Sequence, residues 1–167
     1  RGNGPPQTPT VDGGTTKPTV STKTDVQAAR GNSGAPTLTL SGKGTTVLLH
    51  RLNLTLNGDD LGVSVQNGAT LFADSTRVSQ NSGGGIDVGM GTNARLRNCM
   101  VSGAGGDPSF PALSMSNANV DILYSTFALG LNEGGPAVGC TGGTTVIRNS
   151  IIASDSSNAG ADLQCAT

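Results

Sequence analysis

Acidic side chains recur in the polar turns of this 167-residue chain and are the first candidates for chemistry. Carboxylates of successive turns, if they stack along one edge, would offer the oxygen ligands that calcium prefers. The candidate metal ligands are Asp59, Asp60, Asp107, Glu133 and Asp155. The glycine-rich nonapeptide of calcium-binding repeats is absent, so a solvated acidic edge is the simpler interpretation. We therefore expect no cofactor, with calcium as the alternative.

Cysteine is the second chemically active residue type, and its count of three is odd. Cys140 and Cys165 flank the C-terminal region, whereas Cys99 lies within a regular strand pattern. We expect a Cys140–Cys165 disulfide and a buried, free Cys99, which implies an oxidising compartment. The alternative is that all three are reduced and pack as small apolar residues. A metal site is not expected from them, because there is no CxxC pair and the single histidine, His50, is distant in sequence.

The composition limits the kinds of fold that could position these residues. Apolar residues make up 34% of the chain, aromatic residues 2% and charged residues 13%, while 26 residues are glycine. Disordered chains combine low hydrophobicity with high net charge, but the net charge here is -1. The same value gives no basis for binding nucleic acid. No apolar run approaches the roughly 18–20 residues of a membrane span. The composition favours a fold that turns often and buries small side chains.

From residue 35 onward the chain repeats a unit of about 25 residues. Each unit begins with an alternating strand, then has a turn rich in Gly, Asn and Ser, a second strand and a short third strand. The apolar pairs that open the units are Leu38 and Leu40, Val63 and Val65, Ile86 and Val88, Leu113 and Met115, and Val138 and Cys140. This pattern predicts a right-handed parallel β-helix of about five rungs, stacked at about 4.8 Å. An antiparallel sandwich is the alternative, but it would not place one residue type in the same slot of every unit.

Residues 1–34 differ from the repeats, because they are rich in Gly, Pro and Thr and have no strong period. We interpret them as an extended, irregular lead-in that serves as a cap, ahead of a β-helix over residues 35–167. This division gives the chain one folded domain.

Alternation along the strands assigns each side chain to the inside or the outside of the coil. Inner slots of the first three rungs are Val47, Leu49, Leu52 and Leu54, then Leu71, Ala73, Thr76 and Val78, then Ala94, Leu96, Cys99 and Val101. In the fourth rung they are Leu123, Thr126 and Ala128, and in the fifth Ile147, Ser150 and Ile152. The slot between the second and third strands holds Arg51, Ser75, Asn98, Ser125 and Asn149, to which we assign a structural role at the bend.

Two outer columns follow from the same alternation. One is charged and reads His50, Asp74, Arg97, Tyr124 and Arg148, so that opposite charges alternate on successive rungs. Exposed ion pairs contribute about 0–1 kcal/mol each, so we expect this column to support the register, with a catalytic His50 as the alternative. The other outer slots become apolar near the C-terminus, at Met100, Ile122, Phe127, Val146 and Ile151. An exposed apolar patch requires a cover, which would be the lead-in, the remainder of a larger parent protein, or a second subunit.

Three segments carry a family resemblance: VLLHRLNLT (47–55), LRNCMVSG (96–103) and VIRNSIIAS (146–154), with the ending GADLQC (160–165). Over residues 35–165 the chain resembles the β-helix repeats of bacterial secreted proteins, particularly the choice-of-anchor group. The resemblance implies export and surface attachment, although the anchor itself is not in this chain. The resemblance indicates the fold but not the function, because such repeats occur in lyases, hydrolases, adhesins and proteins without known activity.

Resemblance to β-helix enzymes that cut polysaccharides suggests a catalytic alternative. Its candidate residues are His50, Arg51, Asp59, Asp60, Asp74 and Arg97. No His-Gly or Arg-x-Lys element accompanies them, and the chain has no Trp, one Tyr and three Phe for a sugar platform. We therefore expect a non-enzymatic structural or interaction module on the outside of the cell, which assembles with itself or with a partner. The alternative is a β-helix that binds or cleaves polysaccharide.

Overall fold

The computed structural model describes residues 10–12, 19–21, 26–27, 36–55, 60–103, 110–129, 135–154 and 162–166. Throughout these ranges the chain forms strands and turns, without a helix. The prediction of an all-β fold is confirmed. Short strands form here because alternating apolar residues are separated every few positions by Gly, Asn and Ser, which favour turns.

Seventeen strands are described, and they recur in triplets. Their bounds are β1 Thr10–Asp12, β2 Thr19–Ser21, β3 Val26–Gln27, β4 Leu38–Ser41, β5 Thr46–His50, β6 Asn53–Thr55, β7 Val63–Gln66, β8 Thr70–Asp74, β9 Arg77–Asn81, β10 Ile86–Val88, β11 Asn93–Arg97, β12 Met100–Gly103, β13 Leu113–Leu123, β14 Thr126–Ala128, β15 Val138–Arg148, β16 Ile151–Ala153 and β17 Leu163–Ala166. β13 and β15 are long because each continues through the bend between the first and second strand positions of its rung.

Every described strand pairs in parallel with its counterpart one rung away, which confirms the parallel β-helix. The first strands of the rungs are β1, β4, β7, β10, the first half of β13, the first half of β15, and β17. The second strands are β2, β5, β8, β11 and the second halves of β13 and β15. These two sets form one 11-stranded sheet, joined through β13 and β15. The third strands form a separate six-stranded sheet in the order β16-β14-β12-β9-β6-β3. We refer to the three sets below as the first, second and third faces.

The core is a set of inward columns in which apolar residues of successive rungs stack in register. One column contains Leu49, Ala73, Leu96 and Ile122, and another contains Leu54, Val78, Val101 and Phe127, all of them buried. The inner slots predicted for the first three rungs are all buried. A single rung cannot enclose its own apolar side chains, so contact between rungs supplies the burial, worth about 25 cal/mol per Å².

A one-residue corner joins the second and third faces. Its residues have positive φ near 50°, a left-handed conformation that lets the chain change direction in a single position: Arg51, Ser75, Asn98, Tyr124 and Asn149. Four of these occupy the predicted bend slot. The exception is the fourth rung, where Tyr124 occupies the corner and the predicted Ser125 follows it.

The residue after the first corner is the apolar Leu52, and the residues after the other four corners bond to the backbone through their side chains. The Thr76 hydroxyl donates to the Leu49 carbonyl (3.3 Å), and the Ser125 hydroxyl donates to the Leu123 carbonyl (3.0 Å). The Cys99 backbone N–H donates in turn to the Ser125 hydroxyl (3.1 Å), so this ladder connects neighbouring rungs. Buried hydroxyls would be costly without such partners.

The fourth rung departs from the predicted phase. The assignment of Ile122 and Phe127 to the outside is wrong, and so is that of Leu123, Thr126 and Ala128 to the inside. The Ile122 and Phe127 side chains are fully buried, since Ile122 pairs with Leu96 and Phe127 pairs with Val101. The bend before the second strand is one residue shorter in this rung than in the previous one. Because alternate residues of a strand point to opposite faces, a one-residue shift exchanges the inside and the outside.

The C-terminal disulfide is confirmed. Cys140 of β15 and Cys165 of β17 lie directly opposite each other, with Cα atoms 4.4 Å apart, and are bonded. Cys99 is buried and free, as expected, and burial raises the pKa of its thiol.

The lead-in contributes strands to the stack. β1, β2 and β3 pair in parallel with β4, β5 and β6, which places them as one further rung at the N-terminal side. Their role as a cap stays a prediction.

Candidate binding face

The outer side of the second face carries three parallel columns of outward side chains, which together we call the binding face. In register from the first to the fifth rung, the columns are Thr46, Thr70, Asn93, Asn119 and Thr144; Leu48, Phe72, Arg95, Asp121 and Val146; and His50, Asp74, Arg97, Leu123 and Arg148. The columns are straight because the strands are paired without a bulge across these rungs. Each side chain therefore lies about 4.8 Å from its equivalent in the next rung.

The predicted charge alternation of His50, Asp74 and Arg97 is present in the third column, but the fourth-rung position is Leu123 and not the predicted Tyr124. Asp74 lies between His50 and Arg97, with His50 Nδ1 3.0 Å and Arg97 Nε 3.7 Å from its carboxylate oxygens. The corner residue Asn98 also donates to this carboxylate, at 3.2 Å. All of these groups are partly or well exposed, so each pair adds at most about 1 kcal/mol to stability. The cluster fixes side-chain positions more than it stabilises the fold.

A second ion-pair cluster lies at the centre of the binding face. The Asp121 carboxylate pairs with arginines of both neighbouring rungs. Arg95 Nε of the previous rung lies 3.2 Å from Oδ2, and Arg148 Nη2 of the following rung lies 2.7 Å from Oδ1. Asp121 is not among the predicted site residues, because the one-residue shift in the fourth rung moved it off the predicted outer column. The signal in the sequence is the alternation of Val120, Asp121 and Ile122, which places Asp121 on the outside.

Apolar side chains flank these charges. Leu48 is 39% exposed, Phe72 38% and Val146 41%. Phe72 and Val146 line a shallow cavity of about 450 Å³, together with Thr70, Asn93, Ala94, Arg95, Asn119, Val120, Asp121 and Thr144. The cavity spans four rungs. Inside it, Asn119 Nδ2 donates to Asn93 Oδ1 at 3.2 Å, which links the third and fourth rungs.

The predicted apolar patch is reduced by the corrected phase. Met100, Val146 and Ile151 are exposed, whereas Ile122 and Phe127 belong to the core. Thr126 lies between Met100 and Ile151 in register, so these two do not form a continuous apolar column on the third face.

The predicted calcium ligands fall mostly outside the described residues, namely Asp59, Asp107, Glu133 and Asp155. Asp60 is described, and its Oδ1 accepts a hydrogen bond from the Leu61 backbone N–H at 2.7 Å, an ordinary turn contact. Among the described residues, no group of three or more His, Cys, Asp or Glu side chains could hold a metal ion. Of the candidates for polysaccharide cleavage, His50, Asp74 and Arg97 are brought together, and Arg51 lies at a corner.

A separate carboxyl group lies on the outer side of the first face. Asp87 is half-buried, and this burial raises the pKa of its carboxyl group, an effect that a hydrogen bond with Ser114 partly offsets. Ser114 is its register partner on the next rung. We assign Asp87 and Ser114 a structural role, because no further ionisable side chain among the described residues contacts Asp87.

Where the structure describes the chain, no helix is long and apolar enough to cross a membrane. No known protein family, curated protein or solved structure matches the chain. The geometry of the binding face is therefore the basis for a functional proposal.

Proposed function

We propose that this protein is a non-enzymatic interaction module of a secreted or surface protein, which contacts its partner through the binding face. The observation that carries the proposal is the cavity on this face, where the exposed apolar side chains Phe72 and Val146 lie on either side of the paired charges of Arg95 and Asp121. Exposed apolar surface beside fixed polar groups is typical of interaction sites.

The β-helix suits such a role because it holds the binding face rigid. The exposed Phe72 and Arg95 alternate with buried neighbours in the same strands, Leu71 and Ala94, which are stacked in register. Side chains mounted on a packed sheet lose little further freedom on binding, and this lowers the entropic cost of association. The same side chains on a flexible loop would lose more conformational entropy on binding.

Two observations support an extracellular location. The Cys140–Cys165 disulfide is of the kind that persists in oxidising compartments. The repeat segments, such as VIRNSIIAS at 146–154, resemble the choice-of-anchor group of exported β-helix proteins. We place the protein with that group as part of the proposal.

The partner is either a protein or a polysaccharide. The protein would be a second copy of this chain or the remainder of a larger parent protein. The first possibility follows from the apolar side chains, since complementary apolar surfaces drive association. The cavity of about 450 Å³ favours the second, because its volume lies within the range of about 300–1,000 Å³ for small-ligand sites.

The test compares a binding-face variant with a control in two assays. The variant Phe72→Thr/Val146→Thr removes the apolar surface and places threonine, a residue that favours strands, at both positions. Met90→Thr, at a 71% exposed position in a turn, is the matched control. Sedimentation velocity reports self-association, and titration with oligosaccharides reports glycan binding. We expect the wild type and the control to associate in at least one assay and the double variant to lose that association.

Equal behaviour of the double variant and the wild type would overturn the proposal, as would the absence of association in both assays. Far-UV circular dichroism and the melting temperature establish that both variants fold.

A further inference from the structure

The C-terminal end of the stack is open in the part of the chain that the structure describes. The second half of β15, residues 144–148, pairs with β13 on one side only, and β16 pairs with β14 on one side only. β17 pairs with the first half of β15 and is also outermost among the described strands. These three edges present unpaired backbone N–H and C=O groups, which are a template for further strands.

The backbone hydrogen bonds at the corner between the second and third faces show what this end lacks. In the first four rungs, the corner N–H donates to a carbonyl of the next rung: Arg51 to Asp74, Ser75 to Arg97, Asn98 to Leu123 and Tyr124 to Arg148. The N–H of Asn149, the fifth corner residue, donates to no carbonyl of the described chain. A carbonyl of a further strand would continue this ladder.

The inward side chains at this end are incompletely covered. Ile147 and Ile152 are only partly buried, whereas Ile122 and Phe127, which occupy the same slots one rung earlier, are fully buried. Leu163 in β17 is 43% exposed. One more layer of strands would bury these side chains as the next rung buries those of every earlier rung.

The three edges also lack the features that keep exposed strands from pairing. Arg148 is the one charged residue within 144–148, β16 and β17, and it is bonded to Asp121 of the fourth rung. None of these twelve residues is proline. Edges that stay unpaired in native proteins usually carry charges, prolines or bulges. The composition of these edges therefore favours pairing.

The end is staggered, and the stagger decides which arrangement of strands fits it. Within the described residues the first face has seven strands, with β17 outermost, whereas the second and third faces have six each. At the N-terminal side β1, β2 and β3 form a complete rung with one strand on each face. A second copy stacked head to tail would place its β1 on β17 and leave a gap one strand wide over residues 144–148 and β16.

We propose that two copies of this chain pair tail to tail through their C-terminal ends, about a two-fold axis through the third face. This axis exchanges the first and second faces. β17 of each copy then lies against residues 144–148 of the other, and the two β16 strands lie against each other, so that all three edges pair in antiparallel orientation. Such an isologous contact closes at two copies, whereas head-to-tail stacking produces an open filament. The contact is separate from the binding face and does not depend on the proposed function.

The area of this contact determines the expected strength of the dimer. The three edges supply twelve residues per copy, compared with about 20–30 residues a side in a standard interface. Main-chain hydrogen bonds along the edges provide affinity, as in other cases of strand addition. We therefore expect a reversible dimer whose population rises with protein concentration.

Sedimentation equilibrium of the full chain at increasing concentration measures the dimer. Leu163→Lys places a charge on the edge of β17, within the contact, and Met90→Lys places one at a 71% exposed position in a turn of the third rung as the matched control. We expect Leu163→Lys to weaken dimerisation at least about tenfold and Met90→Lys to leave it unchanged. Both positions are exposed, so both variants should fold, and their melting temperatures check this.

Spin labels on the third face report the orientation of the two copies. Ile151→Cys places a label in β16, and Arg77→Cys places one in β9, three strands away, both at exposed positions. Cys99 is buried and should not be labelled. Tail-to-tail pairing predicts that the distance between copies is longer by about 29 Å at residue 77 than at residue 151, because each strand adds about 4.8 Å in each copy. Head-to-tail stacking predicts equal distances at the two positions.

A chain that stays monomeric at about 1 mM overturns the inference, and so do equal distances at the two labels or equal dimerisation of Leu163→Lys and Met90→Lys. Phe72→Thr separates this contact from association through the binding face. A dimer that survives Phe72→Thr and is lost in Leu163→Lys supports the tail-to-tail contact. If the dimer is lost in Phe72→Thr and kept in Leu163→Lys, the tail-to-tail inference fails and the proposed function stands.

Discussion

Replacing Phe127 with alanine should strongly destabilise the protein, because this side chain is fully buried in the fourth rung. It stacks on Val101 of the previous rung and lies under Ile152 of the next. Phenylalanine-to-alanine substitutions in protein cores cost about 3–5 kcal/mol, from lost burial and from the cavity that remains. The free energy of unfolding should fall by an amount in this range.

The matched control is Ile151→Ala, one rung away on the same face but 64% exposed. Its cost should be below about 0.5 kcal/mol, as for other surface substitutions. Urea unfolding followed by far-UV circular dichroism measures both values, and an unchanged m-value confirms that the same transition is compared. The phase assigned to the fourth rung would be wrong if Phe127→Ala lowered the free energy of unfolding by less than about 1 kcal/mol. It would also be wrong if Ile151→Ala lowered it as much as Phe127→Ala.

Two further predictions concern stability. Replacing Cys140 and Cys165 together with serine should lower the free energy of unfolding by about 3 kcal/mol, the value expected for a disulfide that closes a loop of this size. A reductant should destabilise the wild type in urea unfolding but not the double variant, and an equal effect on both would contradict the assignment. Asp87→Asn should raise the melting temperature at pH 7 by up to about 3 °C. Burial raises the pKa of Asp87 in the folded state, so the folded protein binds this proton more tightly than the unfolded chain does. The contribution of this group to stability is therefore fully present below the unfolded value of 3.8 and is lost as pH rises through the folded value. Melting curves between pH 3 and 7 should show the advantage of the variant growing with pH, and an advantage independent of pH would refute this cause.

The fold could be predicted from the sequence because the repeat is visible in residue types alone. Leu38, Val63, Ile86, Leu113 and Val138 begin successive first strands, and the structure pairs each with the next. Parallel pairing follows from such a repeat, since each unit must bury its apolar side chains against its neighbours.

The repeat length alone did not fix the register of the fourth rung. The spacing of 27 residues from Ile86 to Leu113 places Leu123 in the slot of Leu96, but the bend in that rung is one residue shorter. The local alternation favours the other phase, because Asp121 lies between Val120 and Ile122. The pairing of Leu96 with Ile122 confirms that phase.

The candidate site was predictable in part. The contact of Asp74 with His50 and Arg97 follows from the repeat, because residues in one slot must be neighbours. The Arg95–Asp121–Arg148 cluster depends on the corrected phase of the fourth rung. The cavity depends in addition on side-chain conformations, which a repeat pattern does not specify.

If the second face is the interaction surface of this protein, backbone NMR should locate its contacts there. Amide shifts should be followed during addition of the oligosaccharides and, separately, as the protein concentration is raised. Shift changes in at least one series should be confined to residues 70–74, 93–97, 119–123 and 144–148. Changes centred on the first or third face, or no changes in either series, would contradict the proposed function.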